Sequence, residues 1–171
     1  MALIWTPSPL AVANGRNSRV VYRNGPLARD LPVSAHDAQG YMLEPLPGTK
    51  LLARLVAEKF DVRTVYMHRR REVHRDSAVD LHVAGRAIDF MTYENHEKAF
   101  AIADYLVEHN EPLGIQFVVT WHTRWSAGKA NPRDKFGLYK GPNPHTDHPH
   151  VELTPESAAG SLEWYKKGAI P

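Results

Sequence analysis

His82-Val83-Ala84-Gly85-Arg86-Ala87-Ile88-Asp89-Phe90-Met91 sets a turn, a strand and two metal-binding groups within ten residues. Gly85 permits a tight reversal and close backbone approach. Alternation then places Ala87, Asp89 and Met91 on one face of a strand and Ile88 and Phe90 on the other. A carboxylate between two large apolar residues is either exposed on the polar face or kept for chemistry. A loop leading into a strand can bring His82 and Asp89 to one cation.

A second cluster lies far downstream, His145-Thr146-Asp147-His148-Pro149-His150. In an extended segment His148 and His150 face the same side. One can bind metal while the other stays nearby to move protons, and His145 can reach the same cleft. Pro144 and Pro149 stiffen the segment. Two imidazoles and one carboxylate are the ligand set of a catalytic zinc site. The chain has no cysteine, so a metal must be held by His, Asp or Glu. With ten histidines in 171 residues, some clustering arises by chance. The combination of ligands with a spare base is less readily produced that way.

The surrounding pattern predicts an α+β domain with a small, mainly antiparallel sheet and flanking helices. Residues 1–48 are rich in Pro, Gly, Asn and Ser and read as an extended arm packed on a domain formed by 49–171. Only Ser18 to Tyr22 in the arm is strand-like. Thr49 is the expected cap of a helix running to Phe60, with Leu51, Leu52, Leu55, Val56 and Phe60 as its apolar stripe. Val62 to Met67 and Gly85 to Met91 read as strands, and Glu94 to His109 as an amphipathic helix carrying Phe100, Ala103, Leu106 and Val107. Ile115 to Trp121 is expected to be a central strand. Thr123 to Pro144 reads as one long loop, Val151 to Leu153 as a short closing strand, and Pro155 to Lys166 as a helix.

Charge narrows the partners. Lys and Arg number 21 against 19 Asp and Glu, which argues against a nucleic-acid partner. Arg69, Arg70, Arg71 and Arg75 bunch locally, either as a solvated loop or as an anion-binding rim. No segment reaches the roughly 18 apolar residues of a membrane helix, so membrane insertion is not expected. The first residues lack the basic region of a secretory signal.

The pattern His82-x-x-Gly85-x-x-x-Asp89 with His148-x-His150 resembles the zinc peptidases of the Hedgehog/D-Ala-D-Ala peptidase superfamily. The His-x-His form is most similar to the murein endopeptidase branch, and the similarity runs from Leu51 to Leu153. It implies a Hedgehog/DD-peptidase-like fold, with Zn2+ held by His82, Asp89 and His150 and a fourth position left for water or substrate. It also implies His148 as catalytic base, His145 as a further active-site histidine, and Arg70 as the residue holding a substrate carboxylate or carbonyl. The sequence departs from many such enzymes in two places. Asp80 stands where they have Ser, and His148 where they have Glu.

The activity implied is hydrolysis of peptide bonds in peptidoglycan, in stem peptides or cross-links, at the cell wall or periplasm. Delivery would then be by lysis, an injection apparatus or a removed leader. Two other functions fit the same residues, a zinc-binding module without hydrolysis and a zinc amidase of peptidoglycan. Asp80 is a candidate to orient His82. His122 and Asp147 are candidates to support the metal site. Trp121, Trp125 and Tyr139 are candidates to line a groove, with burial in the core as the alternative. Oligomeric state is not encoded in these patterns.

Overall fold

The computed structural model describes residues 21–22, 45–67, 81–82, 84–127 and 136–171. Most of the N-terminal arm, the arginine-rich stretch with Arg69, Arg70, Arg71 and Arg75, and Asp80 lie outside them.

The elements in chain order are β1 (Val21–Tyr22), α1 (Pro47–Lys59), β2 (Thr64–Tyr66), β3 (Ala87–Phe90), α2 (His96–Glu108) and α3 (Asn110–Leu113). They continue with β4 (Ile115–Thr120), β5 (Thr123–Ser126), β6 (Gly137–Leu138), β7 (His150–Leu153), α4 (Pro155–Ala159) and α5 (Glu163–Lys167). The strands form one sheet in the order β1-β2-β3-β7-β4-β5-β6. All pairs are antiparallel except the edge pair of β1 with β2. The α+β class and the antiparallel sheet agree with the sequence pattern.

Helix α1 starts earlier than expected and by another device. Pro47 occupies its first turn, where a missing N–H costs nothing, and Leu46 is the N-cap. Thr49 is therefore not a cap. It is buried, and its Oγ1 donates to the carbonyl of Gly85 at 2.8 Å. Helix α2 begins at His96 because the Asn95 side chain accepts the N–H of Lys98.

Period-two alternation divides the sheet into two unlike faces. Val65, Ile88, Phe90, Val118, Trp125, Val151 and Leu153 join Leu52 and Val56 of α1 and Ile102 and Leu106 of α2 in one core. The opposite face carries Asp89, His150 and Glu152, because Asp89 pairs with His150 and Ala87 with Glu152.

Three expectations are corrected. The strand expected to close the fold, β7, is the middle of the sheet, between β3 and β4. Only four residues long, it shows too little pattern to reveal that both its edges are paired. The stretch expected as one long loop contains β5 and β6. Its hairpin turn is Trp121-His122, with φ of +44° and +59°, so the usual Asn-Gly signature is missing. The tail is two short helices rather than one, separated at Gly160, where φ is +78°. Among the described residues, no helix is long and apolar enough to cross a membrane.

Helix α1 lies close against α4. A Cβ built on Gly48 would sit 1.8 Å from the carbonyl oxygen of Ser157. Gly48→Ala should therefore force the two apart and cost about 1–3 kcal/mol. The expected readout is a lower denaturant midpoint with an unchanged slope.

Candidate metal centre

His82 is placed by a doubly closed turn. The N–H of Gly85 bonds to the His82 carbonyl at 3.1 Å, and that of Arg86 to the Leu81 carbonyl at 2.8 Å. This is the closure pattern of a glycine-ended helical turn, and Gly85 has the left-handed φ it requires, +68°. The carbonyl of Gly85 is then gripped by Thr49 Oγ1 and, at 3.2 Å, by the Leu46 N–H. The start of α1 thus fixes the turn that carries His82 against β3.

Asp89 on β3 and His150 on β7 are direct cross-strand partners. His82 Nε2 lies 3.2 Å from Asp89 Oδ1 and 3.2 Å from His150 Nδ1, and His150 Nδ1 lies 2.8 Å from Asp89 Oδ1. A tetrahedral zinc ion with ligand bonds of about 2.0–2.1 Å has ligand–ligand edges of about 3.3 Å. The observed triangle is close to one face of that tetrahedron. The donor set and the spacing both fit a divalent cation, and His82, Asp89 and His150 could hold one.

The electrostatics favour positive charge at this point. Burial alone would raise the Asp89 pKa, but hydrogen bonds from His150 and His82 outweigh it and hold the carboxyl well below its usual range. Burial would likewise lower His150, yet hydrogen bonds to Asp89 and Glu152 push it up to about 9.

Two more histidines stand beside the triangle. His148 Nδ1–H donates to Asp147 Oδ1 at 2.6 Å, which leaves Nε2 to face inward, 3.6 Å from Asp89 Oδ1. His145 is 8% exposed, and its ring centroid lies 5.0 Å from that of His148 and 5.3 Å from that of His150. Burial, followed by the nearby His150 and His148, lowers its pKa to about 4, so it is neutral at pH 7.

The backbone around them is strained and tightly held. Trp121, His122 and His145 all have positive φ without being glycine. The Trp121 N–H bonds to the His145 carbonyl at 3.0 Å and the His122 N–H to the Pro144 carbonyl at 2.9 Å. On the other side Phe90 N–H bonds to Pro149 O, while Thr92 and Tyr93 N–H both bond to Asp147 O. The histidine segment is thus stitched between the end of β3 and the β4–β5 turn. Such over-determined strain is typical of functional sites.

A family model for the VldE C-terminal domain matches residues 44–150. The chain belongs to the VldE C-terminal domain family. No curated protein and no solved structure matches it. The stretch shared with the VldE C-terminal domain takes in His82, Asp89, His145, His148 and His150 and ends there.

The structure therefore brings together five of the six expected site residues, while Arg70 lies outside the described residues. Asp147 supports His148 although half its side chain is exposed. Of the two places open to it, groove or core, Trp125 takes the core, 2% exposed. Tyr139 packs edge-on to His145, and Trp121 lies against His96. His122 is exposed and contributes its backbone. Sequence reasoning missed Glu152, whose Oε1 lies 3.4 Å from His150 Nε2. Glu152 was detectable in principle, since it follows His150 by two positions in a strand and must share its face.

His82→Ala and His150→Ala should each abolish stoichiometric zinc in purified protein, read by elemental analysis. A variant that keeps one zinc per chain would contradict the assignment. Metal binding should also be pH-linked. Nδ1 of His150 must lose its proton to bind, so apparent affinity should rise about tenfold per pH unit below pH 9 and flatten above it. Titrations with a chelating competitor from pH 6 to 10 check this.

Proposed function

We propose that the protein is a zinc-dependent hydrolase of peptide bonds in peptidoglycan, with a Hedgehog/DD-peptidase-like catalytic domain. The observation that carries this reading is the His82, Asp89 and His150 triangle with the Asp147–His148 pair on its flank. Among the described residues the metal-holding group has three members, which leaves room for water or substrate, as in catalytic zinc sites. Bound zinc supplies Lewis acidity and lets water ionise near neutral pH.

The chain's own groups divide the remaining work. Asp147 fixes the His148 tautomer with the proton on Nδ1, so Nε2 can accept a proton from the attacking water. The same nitrogen can pass it to the leaving amine. His145, neutral and buried beside both rings, is suited to hydrogen-bond the oxyanion that develops on the scissile carbonyl. Arg70 is assigned the substrate carboxylate or carbonyl on the strength of the family resemblance. Two imidazoles with one carboxylate favour zinc over the harder, all-oxygen cations.

The test is incubation of the zinc-loaded protein with purified peptidoglycans of different cross-link chemistry. New amino groups are expected, with product masses that place the cut within the peptide. Products cut between glycan and peptide would identify an amidase instead. Release of no amino groups from any type would leave a zinc-binding module. His148→Ala should keep its zinc and lose about 10²–10⁴-fold in turnover.

A further inference from the structure

We infer that Glu152 is a positioning residue for the metal, fixing His150 through its outer ring nitrogen and anchored in turn by Gln116 and Arg86. The inference rests on the metal-binding part of the proposed function and not on the reaction.

His150 turns Nδ1 towards Asp89 and His82, so Nδ1 is its ligand atom. An imidazole that binds through Nδ1 carries its proton on Nε2, and that proton needs an acceptor. The acceptor is Glu152 Oε1, 3.4 Å from His150 Nε2. The other carboxylate oxygen, Oε2, accepts from Gln116 Nε2 at 3.2 Å. Gln116 Oε1 accepts from Arg86 Nη2 at 2.9 Å. Arg86 completes the chain by donating Nε and Nη2 to the Leu153 carbonyl, at 3.1 and 2.8 Å.

Each link depends on a particular local structure. Glu152 shares a face with His150 because both are on β7, two positions apart. Gln116 reaches Glu152 because the register of β4 against β7 shifts between Ile115 and Phe117, which makes Gln116 the extra residue. Arg86 follows Gly85, so it is attached to the turn that places His82. The chain of bonds therefore ties the outer side of one imidazole ligand to the backbone that holds the other.

A carboxylate on the far ring nitrogen makes an imidazole a better donor and fixes its plane. Arg86, in the same way, keeps Gln116 oriented with its amide towards Glu152. Replacing any member frees His150 to rotate out of the triangle.

The experiment measures zinc affinity of the full chain by competition with a chromophoric chelator, alongside the absorption spectrum of the cobalt(II)-loaded protein. Glu152→Gln and Glu152→Ala should weaken zinc binding about 10–100-fold and shift the cobalt bands. Gln116→Leu should act in the same direction by less. Circular dichroism identifies folded variants, and if the Glu152 variants fail to fold, Gln116→Leu decides alone. Affinity within twofold of the parent, with an unchanged cobalt spectrum, would overturn the inference. A parent that binds no zinc would overturn it together with the metal reading. A parent that binds zinc tightly but cuts no peptidoglycan would leave it standing and remove only the hydrolase reading.

Discussion

The register between β3 and β7 is the constraint on which everything else in this structure depends. It sets Asp89 opposite His150, two residues 61 positions apart in sequence. The same register sets Ile88 opposite Val151, and both are fully buried in the core. A slip of β7 by one position would turn His150 and Glu152 into the core, leave Asp89 on the opposite face, and expose Val151 and Leu153. Both outcomes are costly, the first because a buried carboxylate would lose its partners. The hydrophobic face therefore enforces the geometry of the polar face, and the candidate site is precise because the core is apolar.

This coupling explains what could be read from the sequence. His82, Gly85 and Asp89 are close in the chain, and turn chemistry with strand alternation suffices to predict their convergence. The His148-x-His150 pair is similarly local. The position of β7 was not legible, because a four-residue strand with half-buried polar positions looks the same at an edge as in the middle. Thr49 was readable as a cap only because its real partner, the Gly85 carbonyl, lies 36 residues away. Gln116 could not be found at all, since its role follows from a register shift that no local pattern records.

The β4–β5 turn shows the same limit from the other side. Trp121 is a poor residue for positive φ and the pair lacks the Asn-Gly signature, so local propensity hides the hairpin. The turn forms because its N–H groups are taken by the carbonyls of Pro144 and His145. His145 itself has φ of +53°, so each strained partner holds the other in place. Tertiary hydrogen bonds override local preference here, and they do so beside the histidines.

Burying Asp89 among three imidazoles demands a positive charge close by. His150 can supply it as an imidazolium, donating Nδ1–H to Asp89 and Nε2–H to Glu152, which is why its pKa stands near 9. A divalent cation would satisfy the same demand by taking the place of the Nδ1 proton. The Nε2–H bond to Glu152 needs no change between the two conditions. The outer shell of Glu152, Gln116 and Arg86 is thus already arranged for either occupant, and the inner triangle exchanges one proton for one metal without moving the sheet. A site with this property is pre-organised, so binding energy is not spent on refolding the ligands.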